Sequence, residues 1–90
     1  MKIFNPEITT HPLLVIPRYY VDSAVMTVRY ELQDKTTTHN LVCLKTNGYL
    51  STSFDLEMEE GQSFELEIKD DQGTVIYRGK GYATTEPQQQ

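Results

Sequence analysis

From Ala24 onward the chain alternates strictly. Ala24, Met26, Val28, Tyr30 and Leu32 share one parity, and Thr27, Arg29, Glu31 and Gln33 share the other. A sustained period of two, rich in β-branched and aromatic types, predicts a half-buried strand. Asp34-Lys35-Thr36 is expected to turn the chain, so that His39 to Thr46 runs back. Asn47-Gly48 follows, the pair favoured in a type I′ hairpin turn because both central residues need positive φ. That turn implies a register with Thr46 opposite Tyr49, Lys45 opposite Leu50, Cys43 opposite Thr52, Leu41 opposite Phe54 and His39 opposite Leu56. One face of the hairpin, Leu41, Cys43, Leu50, Phe54 and Leu56, is predicted to enter the core. The other face holds Asn40, Val42, Leu44, Tyr49, Ser51, Ser53 and Asp55. Three apolar groups, Val42, Leu44 and Tyr49, therefore sit together on a face that is otherwise polar.

Beyond a turn at Glu59-Glu60-Gly61-Gln62, Phe64, Leu66 and Ile68 alternate with Glu65, Glu67 and Lys69 in a further half-buried strand. Asp70-Asp71-Gln72-Gly73 reads as a type I turn with its glycine in the left-handed position. In the strand predicted from Val75 to Thr84, the triplet Val75-Ile76-Tyr77 obscures the inward face. Gly79 and Gly81 there suggest a bulge or a close backbone approach. Towards the N-terminus, Leu13 to Tyr20 suits an edge strand cut by Pro17, with a turn at Val21–Ser23. Residues 1–12 (MKIFNPEITTHP) read as an extended arm and 85–90 (TEPQQQ) as a polar tail. No segment sustains a helical period. Six or seven strands separated by turns point to a small sandwich or barrel.

Composition narrows the picture. Ninety residues give one domain, and thirteen acidic against eight basic residues leave a net charge of −5, which disfavours direct nucleic-acid binding. No apolar run is long enough for a signal peptide or a membrane span, and a lone cysteine fits a reducing cytoplasm. His39 and Cys43 lie about 13 Å apart along a strand, too far to share one metal, and His11 lies in another segment. Cys43 is expected among core residues with no base beside it, so it reads as a buried hydrophobe rather than a nucleophile. The acids from Asp55 to Asp71 include Glu57, Glu65 and Glu67, which strand–turn–strand geometry is expected to place on one outer face, solvated or set against a basic partner. No phosphate loop, nucleophile elbow or calcium loop is present. No enzyme activity, cofactor or metal is expected.

The stretch from Phe54 to Thr84, with Leu56, Gly61 and Phe64-x-Leu66-x-Ile68 in the order strand, turn glycine and aromatic-led alternating strand, resembles the last strands of immunoglobulin-like and fibronectin type III modules. Phenylalanine stands where that family often has tyrosine, and the chain has no tryptophan. The phrase Val75-Ile76-Tyr77-Arg78-Gly79-Lys80 after an acidic turn, together with the N-terminal arm, is similar to small structural proteins of tailed-bacteriophage virions. The resemblance implies an all-β fold: a small Ig-like antiparallel β-sandwich spanning residues 13–84, with the 1–12 arm and the 85–90 tail reaching neighbours. It further implies a virion component of the head, neck or tail, made in the bacterial host cytoplasm. Its partners would be other structural proteins of the assembly or copies of itself, without direct nucleic-acid or membrane contact. The interface candidates are Val42, Leu44, Tyr49, Tyr19, Tyr20 and Phe4. The alternative is a stand-alone binding module that recognises a glycan or protein ligand through tyrosines at one sandwich end.

Overall fold

The computed structural model describes residues 1–85. It contains eight strands: β1 (Lys2–Phe4), β2 (Thr10–Val15), β3 (Ser23–Tyr30), β4 (Lys35–Val42), β5 (Leu44–Thr46), β6 (Tyr49–Asp55), β7 (Ser63–Lys69) and β8 (Val75–Ala83). No helix occurs among the described residues. The strands form two sheets, one in the order β1-β8-β7-β3-β4 and the other β2-β6-β5. The chain is thus a small all-β sandwich. All pairings are antiparallel except β1 on β8, where Lys2, Ile3 and Phe4 run parallel to Gly81, Tyr82 and Ala83.

Alternation sets which side chains meet between the sheets. Ala24, Met26, Val28 and Tyr30 of β3 are buried, as are Phe64, Leu66 and Ile68 of β7 and Leu50 and Phe54 of β6. The alternation predicted for β3 stops one step early, because the chain turns at residues 31–34 rather than 34–36. Leu32 is consequently 86% exposed, and Asp34 takes the left-handed φ of 46°, which aspartate tolerates.

The Asn47-Gly48 turn has φ of 51° and 82° and pairs Thr46 with Tyr49, Lys45 with Leu50 and Leu44 with Ser51. Beyond Leu44 the expected hairpin register ends. Leu41 does not pair with Phe54, nor His39 with Leu56, because β4 is held along its whole length by β3, from Ser23–Val42 to Tyr30–Lys35. Two ladders compete for one segment, and the chain satisfies both by changing sheets at Cys43. There the Cys43 N–H donates to the Asp22 carbonyl at 2.8 Å, and the Thr52 hydroxyl donates to the Val42 carbonyl at 2.9 Å. Alternation runs on through the switch, so Leu41 and Cys43 remain in the core.

Residues 1–12 belong to the sandwich and do not form an arm. Phe4 is buried and stands edge-on to His11 and Phe54. Its carbonyl accepts the Thr84 N–H at 2.9 Å. Pairing of β2 with β6 begins at Thr10 opposite Asp55. The Leu13–Tyr20 strand is correspondingly shifted towards the N-terminus: β2 ends at Val15, and Ile16 to Asp22 cross to the other sheet. The 85–90 tail lies outside the described residues except for Thr85, whose N–H donates to the Glu60 carboxylate at 2.8 Å.

The ambiguous triplet of β8 contains a bulge. Lys69 pairs with Val75 and Ile68 with Tyr77, leaving Ile76 between them, and Ile76 is buried. Both glycines that follow on the inner face make close approaches. A β-carbon on Gly81 would stand 2.5 Å from the Phe4 ring, and one on Gly79 would meet the Tyr77 ring.

Candidate functional site

The two outer faces of the sandwich differ in chemistry. On the five-stranded sheet, Arg29 of β3, Glu65 of β7 and Lys80 of β8 form one row across the strands, and Thr27, Glu67 and Arg78 form the next. Arg29 meets Glu65 at 2.7 Å, Arg78 meets Glu67 at 3.0 Å, and Lys69 lies 3.4 Å from Glu67. The Arg29 guanidinium holds the Glu65 carboxyl below its ordinary range. The acids of β7 are therefore paired with cations of β3, β8 and β7 itself. Glu57, expected beside them, lies in the connection after β6, where its carbonyl accepts the Tyr30 hydroxyl at 3.0 Å.

The outer face of the three-stranded sheet carries almost no charge. The outward positions are Thr10, Pro12 and Leu14 on β2, Tyr49, Ser51 and Ser53 on β6, and Leu44 and Thr46 on β5. Asp55 is confined to the far end, where it accepts the Thr10 hydroxyl at 2.6 Å. Lys45 points to the other side, placing its ammonium 4.5 Å from the centre of the Tyr20 ring. Leu14, Ser51 and Leu44 align in one row across the three strands. Leu44 is 68% and Val42 81% exposed. Val42, expected on this face, instead has the outward parity of Asn40 and Thr38 on β4 and so belongs to the outer side of the five-stranded sheet, and Ile16 follows β2 where the chain leaves for that sheet. Exposed apolar residues also occur elsewhere, at Ile3, Ile8 and Leu32; on this face Leu14, Leu44 and Tyr49 stand together.

Of the other interface candidates, Phe4 is a core residue and presents no surface to a partner. Tyr19 and Tyr20 are exposed at the sandwich end below β5 and β8, and their hydroxyls are engaged. Tyr19 donates to the Asp70 carboxylate and Tyr20 to the Gly48 carbonyl. The β2–β3 connection thereby ties the two hairpin turns at that end.

The histidines and the cysteine are absorbed by the fold. His11 is buried, and its Nε2–H donates to the Leu56 carbonyl at 2.9 Å; because a carbonyl only accepts, the contact fixes the tautomer. His39 is half-buried between Thr37 and the Phe54 ring, and burial lowers its pKa against the opposing pull of Asp55. Burial raises the Cys43 thiol, which keeps it protonated and poorly nucleophilic. Among the described residues no three or more His, Cys, Asp or Glu side chains are grouped to hold a metal. Every buried side-chain polar atom among them has a hydrogen-bond partner.

No protein-family model, curated protein or solved structure matches the chain.

Proposed function

We propose that the protein is a non-enzymatic building block of a larger assembly. It works by protein–protein contact through the uncharged outer face of the three-stranded sheet. Leu44 and Tyr49 anchor the contact. The segregation of charge carries this reading: one face is laced with ion pairs and suits water, while the middle of the other offers apolar side chains and hydroxyls, with charge only at its margins, Asp55 at one end and the Lys2 ammonium on the Leu14 carbonyl. Such a centre suits an apolar protein surface better than a charged ligand. The engaged hydroxyls of Tyr19 and Tyr20 support contact over glycan recognition, since those groups already serve the fold. The sequence resemblance suggests which assembly: a tailed-phage particle, with the chain in its head, neck or tail.

The test is incorporation. Native material sedimented without tags is expected in a multi-megadalton particle at fixed stoichiometry. The double substitution Leu44→Glu and Tyr49→Glu is expected to leave the strand signature in circular dichroism intact and to exclude the chain from the particle, because burying an unpaired carboxylate costs several kcal/mol. Recovery of the native chain only as a free monomer, or full incorporation of the variant, overturns the reading.

A further inference from the structure

We infer that the open edge of β4 pairs antiparallel with β4 of a second copy about a two-fold axis at Thr38, joining two five-stranded sheets into one. This surface lies on the other sheet from the contact reading above and is independent of it. The phase of the strand is the first argument. Main-chain groups along a strand turn alternately to one neighbour and the other. The Cys43 N–H on the Asp22 carbonyl continues the register that sets Ser23 opposite Val42, so the odd-numbered residues of β4 turn towards β3. The even-numbered ones turn away, in agreement with the Val42 carbonyl that accepts the Thr52 hydroxyl. β4 is the last strand of its sheet. Thr36, Thr38 and Asn40 are exposed, and each points an N–H and a C=O outward along about 13 Å of edge.

The guarding of edges is the second argument. An exposed edge strand invites pairing unless it is short, charged or interrupted by proline. β1 and β5 are three residues long and carry Lys2 and Lys45. β2 contains Pro12, which has no N–H, and the Lys2 ammonium caps its Leu14 carbonyl. β4 runs eight residues with no proline and no acid, and its one charge, Lys35, stands at the first position. Its ladder to β3 has no bulge to twist the edge away. From Thr36 to Asn40 the side chains are threonine, histidine and asparagine. Two chains of net charge −5 therefore meet here without setting like charges opposite one another.

Symmetry names the occupant. A two-fold at Thr38 sets Thr38 opposite Thr38, and Thr36 opposite Asn40 of the second copy. All three residues then fall at hydrogen-bonded positions of the new ladder, and its three pairs exchange two bonds each. Every main-chain group that Thr36, Thr38 and Asn40 leave open is satisfied in both copies. On the outer face the Thr38 side chains meet each other, a favourable cross-strand pair. A strand from another protein must present an equally bare edge in the same phase, which β4 itself supplies, and such self-matching contacts are the commonest in homo-oligomers. Each bond replaces bonds to water and contributes little net, and an edge this short buries far less than the roughly 800 Å² per partner of a standard stable complex. The dimer is therefore weak and concentration-dependent.

Sedimentation equilibrium of the full chain from about 10 μM to 1 mM tests this; half or more of the protein should be dimer at the top of that range. Amide hydrogen exchange at both ends of the range reads the edge itself. Thr36, Thr38 and Asn40 should exchange quickly in the monomer and gain protection in the dimer, while Thr37 and His39, turned towards β3, stay protected throughout. Thr38→Lys sets two ammonium groups opposite each other and should weaken association tenfold or more. Thr38→Pro removes a donor that β3 does not use and should give a folded monomer. Leu44→Glu, on the other sheet, should leave association unchanged. A wild-type chain monomeric at 1 mM overturns the inference, as does a dimer whose Thr36, Thr38 and Asn40 amides still exchange quickly. A dimer that survives both Thr38 variants overturns it too. A dimer lost in Leu44→Glu instead moves the interface to the three-stranded sheet, which sinks the edge pairing and leaves the contact reading standing.

Discussion

Gly79 and Gly81 both face inward on β8, and in each an aromatic ring occupies the space a side chain would take. The consequences of filling that space differ. At Gly81 the ring belongs to Phe4, buried and wedged between Phe54, Phe64 and His11, so it cannot retreat from a methyl group 2.5 Å away. At Gly79 the intruding atoms are the far end of Tyr77, a half-buried side chain less enclosed than Phe4. Gly81→Ala is therefore expected to cost about 1–3 kcal/mol by overpacking, and Gly79→Ala less than about 1 kcal/mol. Urea unfolding midpoints of the two variants check the order, and equal losses would mean that the Phe4 ring is not fixed. The sequence marks both glycines as sites of close approach. It does not reveal which ring approaches each, since Phe4 reaches Gly81 through a parallel pairing of the two chain ends that no local pattern announces.

At the scale of elements, short-range turn chemistry was the most legible part of the fold. Asn47-Gly48 yields the predicted pairing of Thr46 with Tyr49, and Asp70 to Gly73 forms the predicted turn. In that turn the Asp70 carboxylate accepts the Gln72 and Thr74 N–H groups at 3.0 and 2.8 Å. What local pattern could not show is competition between elements. The extension of the hairpin register to Leu41 and His39 failed because β4 lies between two hairpins, and the one with β3 across the 31–34 turn claims it. The grouping of Glu57 with Glu65 and Glu67 failed because Glu57 leaves the sheet. The exposure of Val42, Leu44 and Tyr49 was legible because it needs only parity, and parity survives the switch at Cys43, but the change of sheet there parts Val42 from the other two. The Tyr19 bond to Asp70 shows the same limit, joining the β2–β3 connection to the β7–β8 turn. The Tyr19 hydroxyl is the first cause holding the Asp70 carboxyl below its ordinary range, followed by the turn N–H groups. Stability from a depressed carboxyl is present above its unfolded pKa, near 3.9, and is lost as the pH falls through its lower folded value. Wild type should thus melt above Tyr19→Phe at neutral pH, and the gap should close as the pH falls below about 4. A gap constant from pH 7 to 2.5 would show that the phenol acts by packing instead.

The whole molecule must stand on a thin core, and its two ends help to close it. Parity arguments place β3, β6 and β7, but the first strand is only three residues long and has no alternation to read, which is why residues 1–12 look like a free arm in sequence. In the fold Phe4 joins the sheets at the sandwich end where His11, Phe54 and Phe64 also meet, and its carbonyl holds the Thr84 N–H. An arm that merely reached a neighbour could be truncated without loss of stability. A strand carrying a buried aromatic cannot. Phe4→Ala removes a ring from a packed site and is expected to cost about 3–5 kcal/mol, against a total of roughly 5–10 kcal/mol for a domain of this size. Ile3→Ala, on the same strand but pointing outward, should cost less than about 1 kcal/mol. Thermal and urea unfolding of both variants makes the comparison. Near-wild-type stability for Phe4→Ala would detach β1 from the fold and return Phe4 to the surface as a contact residue. A collapse confined to Phe4→Ala would fix the N-terminal strand as part of the core and take Phe4 out of the proposed contact surface.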